Sequence, residues 1–243
     1  MQKRFKSSRD TVIISGLLSS EVLAEASHLN HLCYPDAKTE LLPEGSFMSS
    51  DEMKAIASEA KMQVAILGGL VALAWGIDVV DRVLLGQLDV YGIIPRTAIG
   101  LRGILFAPLL HGSFAHLMGN TVPFLILGWL VMLRRTRDFL IVTAIVMLLG
   151  GLSTWLFGSP GFHIGASGVI FGYFGFLVSR SYFERSFTAI ALSVFVAILY
   201  GGLIWGVLPG RPGISWEGHL FGFIGGIVAA SLISKRRKTV DQI

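Results

Sequence analysis

The chain has 243 residues, of which 53% are hydrophobic and only 15% are charged, and its mean hydropathy is +0.67. A soluble domain of this length carries about 25% charged residues, so the composition excludes an ordinary soluble protein and indicates a membrane protein. The net charge of +4 comes from basic residues near the ends of predicted helices, which indicates membrane orientation and no nucleic-acid partner.

Residues 1–61 are polar and are predicted to form a small N-terminal cytosolic extension. Its apolar run, 12–18, is too short to cross a bilayer. Cys33 is the only cysteine, which excludes an intramolecular disulfide. It lies near His28 and His31, but three ligands in a polar segment are too weak a pattern to predict a metal site.

Residues 62–234 are predicted to form an all-α bundle of six transmembrane helices, followed by a basic cytosolic tail, 235–243. Each apolar stretch is about long enough to cross a hydrocarbon layer of ~30 Å. The predicted spans are 64–85, 116–133, 139–157, 167–182, 187–207 and 218–233. The long link after the first span mixes glycine and proline with apolar residues, so we expect it to be folded at the membrane interface.

Basic residues set the predicted orientation, because they are enriched in cytoplasmic loops. They follow spans two, four and six, which puts these three loops on one side together with the N-terminus. The residues are Arg134, Arg135, Arg137, Arg180, Arg185, Lys235, Arg236, Arg237 and Lys238. Both termini are therefore predicted to be cytoplasmic, and with no organelle transit peptide the expected membrane is the bacterial inner membrane.

With that topology, spans two, four and six begin on the outer side, and each opens with polar residues. His116 and Asn120 are four residues apart on one face of span two, Ser167 opens span four, and His219 lies at the start of span six. Polar and ionisable side chains within spans are costly, so they are candidates for function.

Glycines at helical spacing on spans four and six predict close packing of these two helices, because small residues let backbones approach. They are Gly168, Gly172 and Gly175 on span four, and Gly218, Gly222 and Gly226 on span six. Such packing brings Ser167 near His219, the pairing of nucleophile and general base used in covalent catalysis. The free N–H groups at the start of span four, with His116 and Asn120, could stabilise an oxyanion.

Three motifs on alternate spans together resemble the rhomboid intramembrane serine proteases. They are H-x-x-x-x-H-x-x-x-N at His111, His116 and Asn120, G-x-S-G from Gly165 to Gly168, and H-x-x-G-x-x-x-G at His219, Gly222 and Gly226. G-x-S-G alone is a weak motif, but the three in this order are specific. The resemblance covers roughly residues 62–233.

The resemblance implies hydrolysis of transmembrane segments of other membrane proteins by a Ser-His dyad, in the lipid bilayer and without a metal or other cofactor. Ser167 would be the nucleophile, His219 the general base, and His116, Asn120 and the Ser167 backbone N–H the oxyanion hole. Residues expected to pack around the site are Gly165, Gly168, Phe171, Gly222 and Gly226.

The sequence departs from the family pattern at two places. Phe171 stands where members often carry a tyrosine that packs on the catalytic histidine, so the ring contact is expected without the hydroxyl. The long first link reads GIIPR at 92–96, without the Trp-Arg pair of some bacterial members.

Other interpretations remain open from the sequence. A catalytically silent rhomboid-like protein would bind transmembrane clients. A small transporter would use the polar residues as a pathway, although these residues lie near one surface and no internal repeat is evident.

The individual residues also have other interpretations. The Ser167 hydroxyl alone could donate a hydrogen bond to a carbonyl of its own helix. A metal centre would use His111, His116, His163 and His219, which lack H-E-x-x-H spacing. We expect His111 to order its loop, His163 to be solvated and Glu217 to be interfacial.

Overall fold

The computed structural model describes residues 49–210 and 213–240, which are helical apart from turns and one isolated antiparallel pair, Ile93 with His163. Six long helices are numbered α1 to α6 here. They are α1 Ser50–Val83, α2 Phe114–Met132, α3 Thr136–Phe157, α4 Ser167–Glu184, α5 Phe187–Tyr200 and α6 Trp216–Val240. The predicted extension up to residue 48, with its cysteine, lies outside the described residues, as do the last three residues.

Five helical stretches of the described chain are long and apolar enough to cross a membrane. They are Ser50–Val83, Phe114–Met132, Thr136–Phe157, Phe187–Val207 and Trp216–Arg236. Helix α4 coincides with the predicted fourth span but is not among them, because serines, glycines and Arg180 interrupt its apolar sequence. Its run from 169 to 177 is buried, and α4 packs against α2, α3, α5 and α6. Neighbouring helices therefore enclose this run of α4.

Helix α1 begins at Ser50, whereas the apolar pattern predicted a span from residue 64. Its 34 residues extend about 51 Å, more than a hydrocarbon layer of ~30 Å needs. The additional turns are fixed partly by Gln63, whose Nε2 donates a hydrogen bond to Thr136 Oγ1 at 3.1 Å. The boundary predicted after residue 61 thus falls inside α1.

The fifth predicted span ends differently from the others. Helix α5 stops at Tyr200 and continues as 3₁₀ turns over Gly201–Val207, which begin with two glycines. Glycine lowers the stability of an α-helix, which accounts for the change in winding. Helix α6 continues to Val240, so the predicted tail is helical from 235 to 240.

The link between α1 and α2 is folded, as its apolar content predicted. It contains the short helical turns Gln87–Tyr91, Ile99–Arg102, Gly103–Phe106 and Ala107–Leu109. The Ile93 N–H donates to the His163 carbonyl at 3.0 Å, and the reverse bond is 2.9 Å long. The link therefore holds the loop that enters α4.

The hydrophobic core lies between α2, α3, α4 and α6, toward the end of the bundle where α2 and α4 finish. Its fully buried side chains include Leu127, Val131, Met132, Phe139, Val142, Tyr173 and Leu177. The buried Tyr173 hydroxyl is satisfied by Thr143 Oγ1 at 2.7 Å. The opposite end, where α2, α4 and α6 begin, is left for polar side chains.

Candidate active site

Helices α4 and α6 meet backbone to backbone along the predicted glycine faces. A Cβ on Gly222 would overlap the carbonyl oxygen of Gly168, and one on Gly226 would overlap that of Gly172. Only glycine allows such an approach, as in small-x-x-x-small packing of membrane helices. The first turns of the two helices are consequently neighbours.

Ser167 and His219 lie within hydrogen-bonding distance at these first turns. Ser167 Oγ is 2.8 Å from His219 Nε2, and His219 Nδ1 is 2.9 Å from the carbonyl oxygen of Gly206. Because a carbonyl can only accept, Nδ1 carries the proton and Nε2 is free to accept from the serine hydroxyl. His219 is only 8% exposed. The serine therefore bonds to the imidazole rather than back to its own helix.

The Phe171 ring stacks on His219. The ring centroids are 4.1 Å apart and the planes differ by 5°. A Cβ on Gly206 would collide with Phe171 Cζ, so glycine at 206 is what lets its carbonyl reach the imidazole beside the aromatic ring. The imidazole is thus held on one face by an aromatic ring and at Nδ1 by a backbone acceptor.

His116 and Asn120 line the same cavity as the serine and histidine, which has a volume of about 550 Å³. They are placed by α2, whose first turn is capped by Ser113 Oγ, accepting from the His116 N–H at 3.1 Å. Asn120 is 8% exposed, and its Nδ2 has no hydrogen-bond partner among the described residues. A buried amide donor without a partner is costly. Asn120 lines this cavity and also a second cavity between α1, α2 and α4.

Gly165 brings the loop before α4 against the His116 ring. Its φ is +114°, and a Cβ there would lie 2.6 Å from His116 Cε1. Both the backbone conformation and the close approach favour glycine. The structure therefore brings Ser167, His219, His116, Asn120, Gly165 and Phe171 together, with Gly168 and Gly222 packed against each other beside them. Gly226 lies one helical turn farther along α6, against Gly172, and contacts none of the reacting side chains.

His111 lies beneath this arrangement and orders the loop, as expected. Its ring contacts His116 edge-on at 5.1 Å, and its Nε2 accepts from the Ala166 N–H at 3.4 Å. Burial, together with the neighbouring His116, lowers the pKa of His111 to about 4. His111 is therefore neutral at neutral pH, which its role as a hydrogen-bond acceptor requires.

The expectation that His163 is solvated is wrong. The residue is 9% exposed, with Nδ1 2.5 Å from Ser215 Oγ and Nε2 2.9 Å from the Ser159 carbonyl oxygen. Glu217 is 4% exposed, and its carboxylate accepts from the Ser159 N–H at 2.9 Å and from the Ser159 hydroxyl. These contacts depend on the fold of two loops that are distant in sequence, so the local sequence around His163 gives no sign of them.

Within the described part of the chain, no three His, Cys, Asp or Glu side chains are grouped so that they could hold a metal ion. Both nitrogens of His163 have protein partners, and those of His219 face Ser167 and Gly206. Cys33, His28 and His31 lie outside the described residues.

Comparison with known proteins adds a family match. Residues 100–236 match the family described as Rhomboid domain. The chain is 44% identical over 173 residues to the uncharacterised protein Rv1337 of Mycobacterium tuberculosis, covering 68% of this chain and 72% of that protein. It is 43% identical over 178 residues to ML1171 of Mycobacterium leprae, also uncharacterised, covering 69% and 70%. It is 27% identical over 142 residues to YdcA of Bacillus subtilis, named as a candidate rhomboid protease, covering 54% and 66%.

Proposed function

The chain belongs to the rhomboid family of multi-pass membrane proteins, and we propose that it is a serine endopeptidase that cleaves transmembrane segments of other membrane proteins. The hydrogen bond between Ser167 Oγ and His219 Nε2, 2.8 Å long, carries the proposal. Nucleophilic acyl transfer uses a serine hydrogen-bonded to one nitrogen of an imidazole, while the other nitrogen donates a hydrogen bond to a fixed acceptor. The similarity to YdcA of Bacillus subtilis supports the same reaction class.

In the acylation step, Ser167 Oγ attacks the carbonyl carbon of the scissile peptide bond while its proton passes to His219 Nε2. The carbonyl oxygen of Gly206 accepts from Nδ1–H and stabilises the imidazolium, the part that a carboxylate plays in a triad. The imidazolium then protonates the leaving amine nitrogen and the C–N bond breaks. A water molecule attacks the acyl ester in the same way, giving a carboxylic acid and restoring the serine hydroxyl. No step requires a metal or other cofactor.

The oxyanion formed in each step would be stabilised by the backbone N–H of Ser167, the His116 ring and the Asn120 amide. The position of Ser167 as the first residue of α4 supports this, because N–H groups at a helix start lack intrahelical partners. The unpartnered, buried Nδ2 of Asn120 supports it further.

Asn120→Ala is expected to lower kcat by about 10²- to 10³-fold and to change KM little, because the lost donor acts mainly in the transition state. Asn120→Asp is the matched control for shape, since it keeps the size and removes the donor, and it should lose at least as much. Steady-state cleavage of a reconstituted substrate measures both constants. Unchanged kcat in both variants would remove Asn120 from the proposed oxyanion hole.

We further propose that all six helices cross the membrane, with α4 enclosed by its neighbours and both termini in the cytoplasm of a bacterial cell. In a strain expressing the Cys33→Ser background, an impermeant maleimide added outside should label Phe162→Cys, after α3, and leave Leu133→Cys, after α2, unlabelled. Both side chains are at least half exposed. The reverse pattern would invert the topology.

The loop 206–215, of which the structure describes residues 206–210 and 213–215, is proposed to form a mobile cap over the site, with α5 moving to admit substrate laterally from the membrane. Gly213 and Ile214 line the reaction cavity, while the chain is anchored at Gly206 by His219 and at Ser215 by His163. In the Cys33→Ser background, linking Leu208→Cys to Ile214→Cys, which line one cavity beside His219, with a reducible bifunctional thiol reagent should lock the loop and lower turnover, and reduction should restore it. Full turnover by the linked protein would contradict a cap that has to move.

The proposed partners are transmembrane protein substrates and the lipid bilayer, with no nucleic acid.

The function is tested by adding the purified protein to proteoliposomes that carry a single-span substrate. Cleavage by the wild type that is absent from Ser167→Ala supports the proposal. Equal cleavage by both proteins would refute it, and co-purification of an uncleaved client with the wild type would favour a silent client-binding protein.

A further inference from the structure

Four side chains near the dyad form a hydrogen-bonded link that joins the loop between α3 and α4 to the start of α6. Ser159 and His163 belong to the loop, and Ser215 and Glu217 belong to the start of α6. His163 and Glu217 are more than nine-tenths buried. None of the four has a role in the reaction steps described above.

The direction of most hydrogen bonds in the link follows from the partners. His163 Nε2 faces the Ser159 carbonyl oxygen and must donate to it, and His163 Nδ1 lies 2.5 Å from the Ser215 hydroxyl oxygen. Ser215 Oγ in turn accepts from the Gly218 N–H at 3.2 Å, which caps the first turn of α6. The Glu217 carboxylate accepts from both the N–H and the hydroxyl of Ser159. All four side chains are thus paired in one closed arrangement.

The register of this link matches that of the dyad. His163 lies four residues before Ser167, and Ser215 lies four residues before His219. The 2.5 Å contact between His163 and Ser215 therefore ties together the segments leading directly into the two reacting side chains. Among the described residues before Ser215, Gly210 and Gly213 have positive φ, a backbone conformation that favours glycine.

Resting on the proposed function, we propose that His163 and Ser215 are positioning residues that set the separation of Ser167 from His219, assisted by the contact of Glu217 with Ser159. The glycine faces fix how closely α4 and α6 pack, beginning at Gly168 and Gly222. The hydrogen-bonded link of Ser159, His163, Ser215 and Glu217 fixes the first turns of α4 and α6, where helix ends otherwise fray. A misplacement of about 1 Å at a reacting group can cost about 10²-fold in rate.

The test compares His163→Ala, Ser215→Ala and the double variant in reconstituted proteoliposomes, with kcat, KM and the thermal unfolding midpoint measured for each. Either single variant should lower kcat by about 10- to 100-fold with KM nearly unchanged. The double variant should lose no more than the worse single variant, because one link is broken in all three. Ser215→Thr, which retains the hydroxyl, should recover most of the kcat.

Ser234→Ala is the matched control. Ser234 on α6 is 5% exposed, and its Oγ donates to the Phe183 carbonyl of α4 at 3.0 Å, at the far end of the same helix pair. It should lower the unfolding midpoint about as much as His163→Ala and leave kcat at the wild-type value. A general loss of packing would therefore lower the midpoint without the selective loss of kcat.

The outcomes separate the inference from the function on which it rests. Wild-type protein that cleaves nothing overturns the proposed function, and the positioning proposal falls with it. Wild-type cleavage with an unchanged kcat in His163→Ala and Ser215→Ala overturns the positioning proposal alone. Additive losses of kcat in the double variant, or no recovery by Ser215→Thr, would likewise overturn it.

Discussion

His219→Ala is expected to lower the rate of substrate cleavage by about 10⁴-fold or more, with little change in substrate binding. The imidazole is the only base within hydrogen-bonding distance of Ser167 Oγ among the described residues, and its tautomer is already set by the Gly206 carbonyl. Without it, the serine hydroxyl keeps its proton and the leaving amine has no acid. Single-turnover cleavage in proteoliposomes measures the loss.

The same experiment with Ser167→Ala and with the double variant provides the control. Two residues that act as one unit give losses that do not add, so all three variants should show the same residual rate. A His219→Ala rate within about tenfold of the wild type would mean that another group activates the serine. A double variant much slower than either single would mean that the two residues act separately.

Gly226→Val should prevent stable folding or cost about 3 kcal/mol or more, at the upper end for overpacking. The added side chain would overlap the Gly172 carbonyl and approach the Phe176 N, and both neighbours are backbone atoms of α4 that cannot rotate away. Separation of α4 from α6 would also part the dyad. The apparent unfolding midpoint in detergent should fall by about 10 °C, or little folded protein should be recovered.

Gly69→Val is the control for the change of residue type. Gly69 lies within α1, and nothing lies within 4 Å of a Cβ placed there. Gly69→Val makes the same exchange of glycine for valine within a helix, but the new side chain meets no neighbouring atom. Its unfolding midpoint should therefore stay near that of the wild type. Equal midpoints for the two variants would contradict the close backbone contact of α4 with α6.

The positions of the helices followed from the sequence wherever apolar content decides structure. Apolar periodicity and length located α2 and α3 to within a few residues, because lipid contact demands such side chains. The start of α1 at Ser50 could not be found in this way, since a helix that continues beyond the hydrocarbon needs no apolar surface. The 3₁₀ turns after α5 depend on local backbone geometry, which hydropathy does not report.

The site was predictable to the extent that motif spacing determines it. The glycine faces of α4 and α6 already require close approach, and with it the pairing of Ser167 with His219. The partner of the second imidazole nitrogen is the Gly206 carbonyl, a group that every residue carries and no motif distinguishes. The burial of His163 follows from pairing of its backbone with Ile93, seventy residues earlier in the chain. Such contacts become visible only once the fold is known.

The central claim, that His219 activates Ser167 as a nucleophile, is tested most directly by covalent capture. The wild type in detergent is treated with a fluorophosphonate probe, and the modified residue is located by mass spectrometry. The account predicts labelling of Ser167 in the native wild type, with no labelling of Ser215, of His219→Ala or of heat-unfolded protein. Equally rapid labelling of Ser167 in His219→Ala, or no labelling of Ser167 in the wild type, would contradict it.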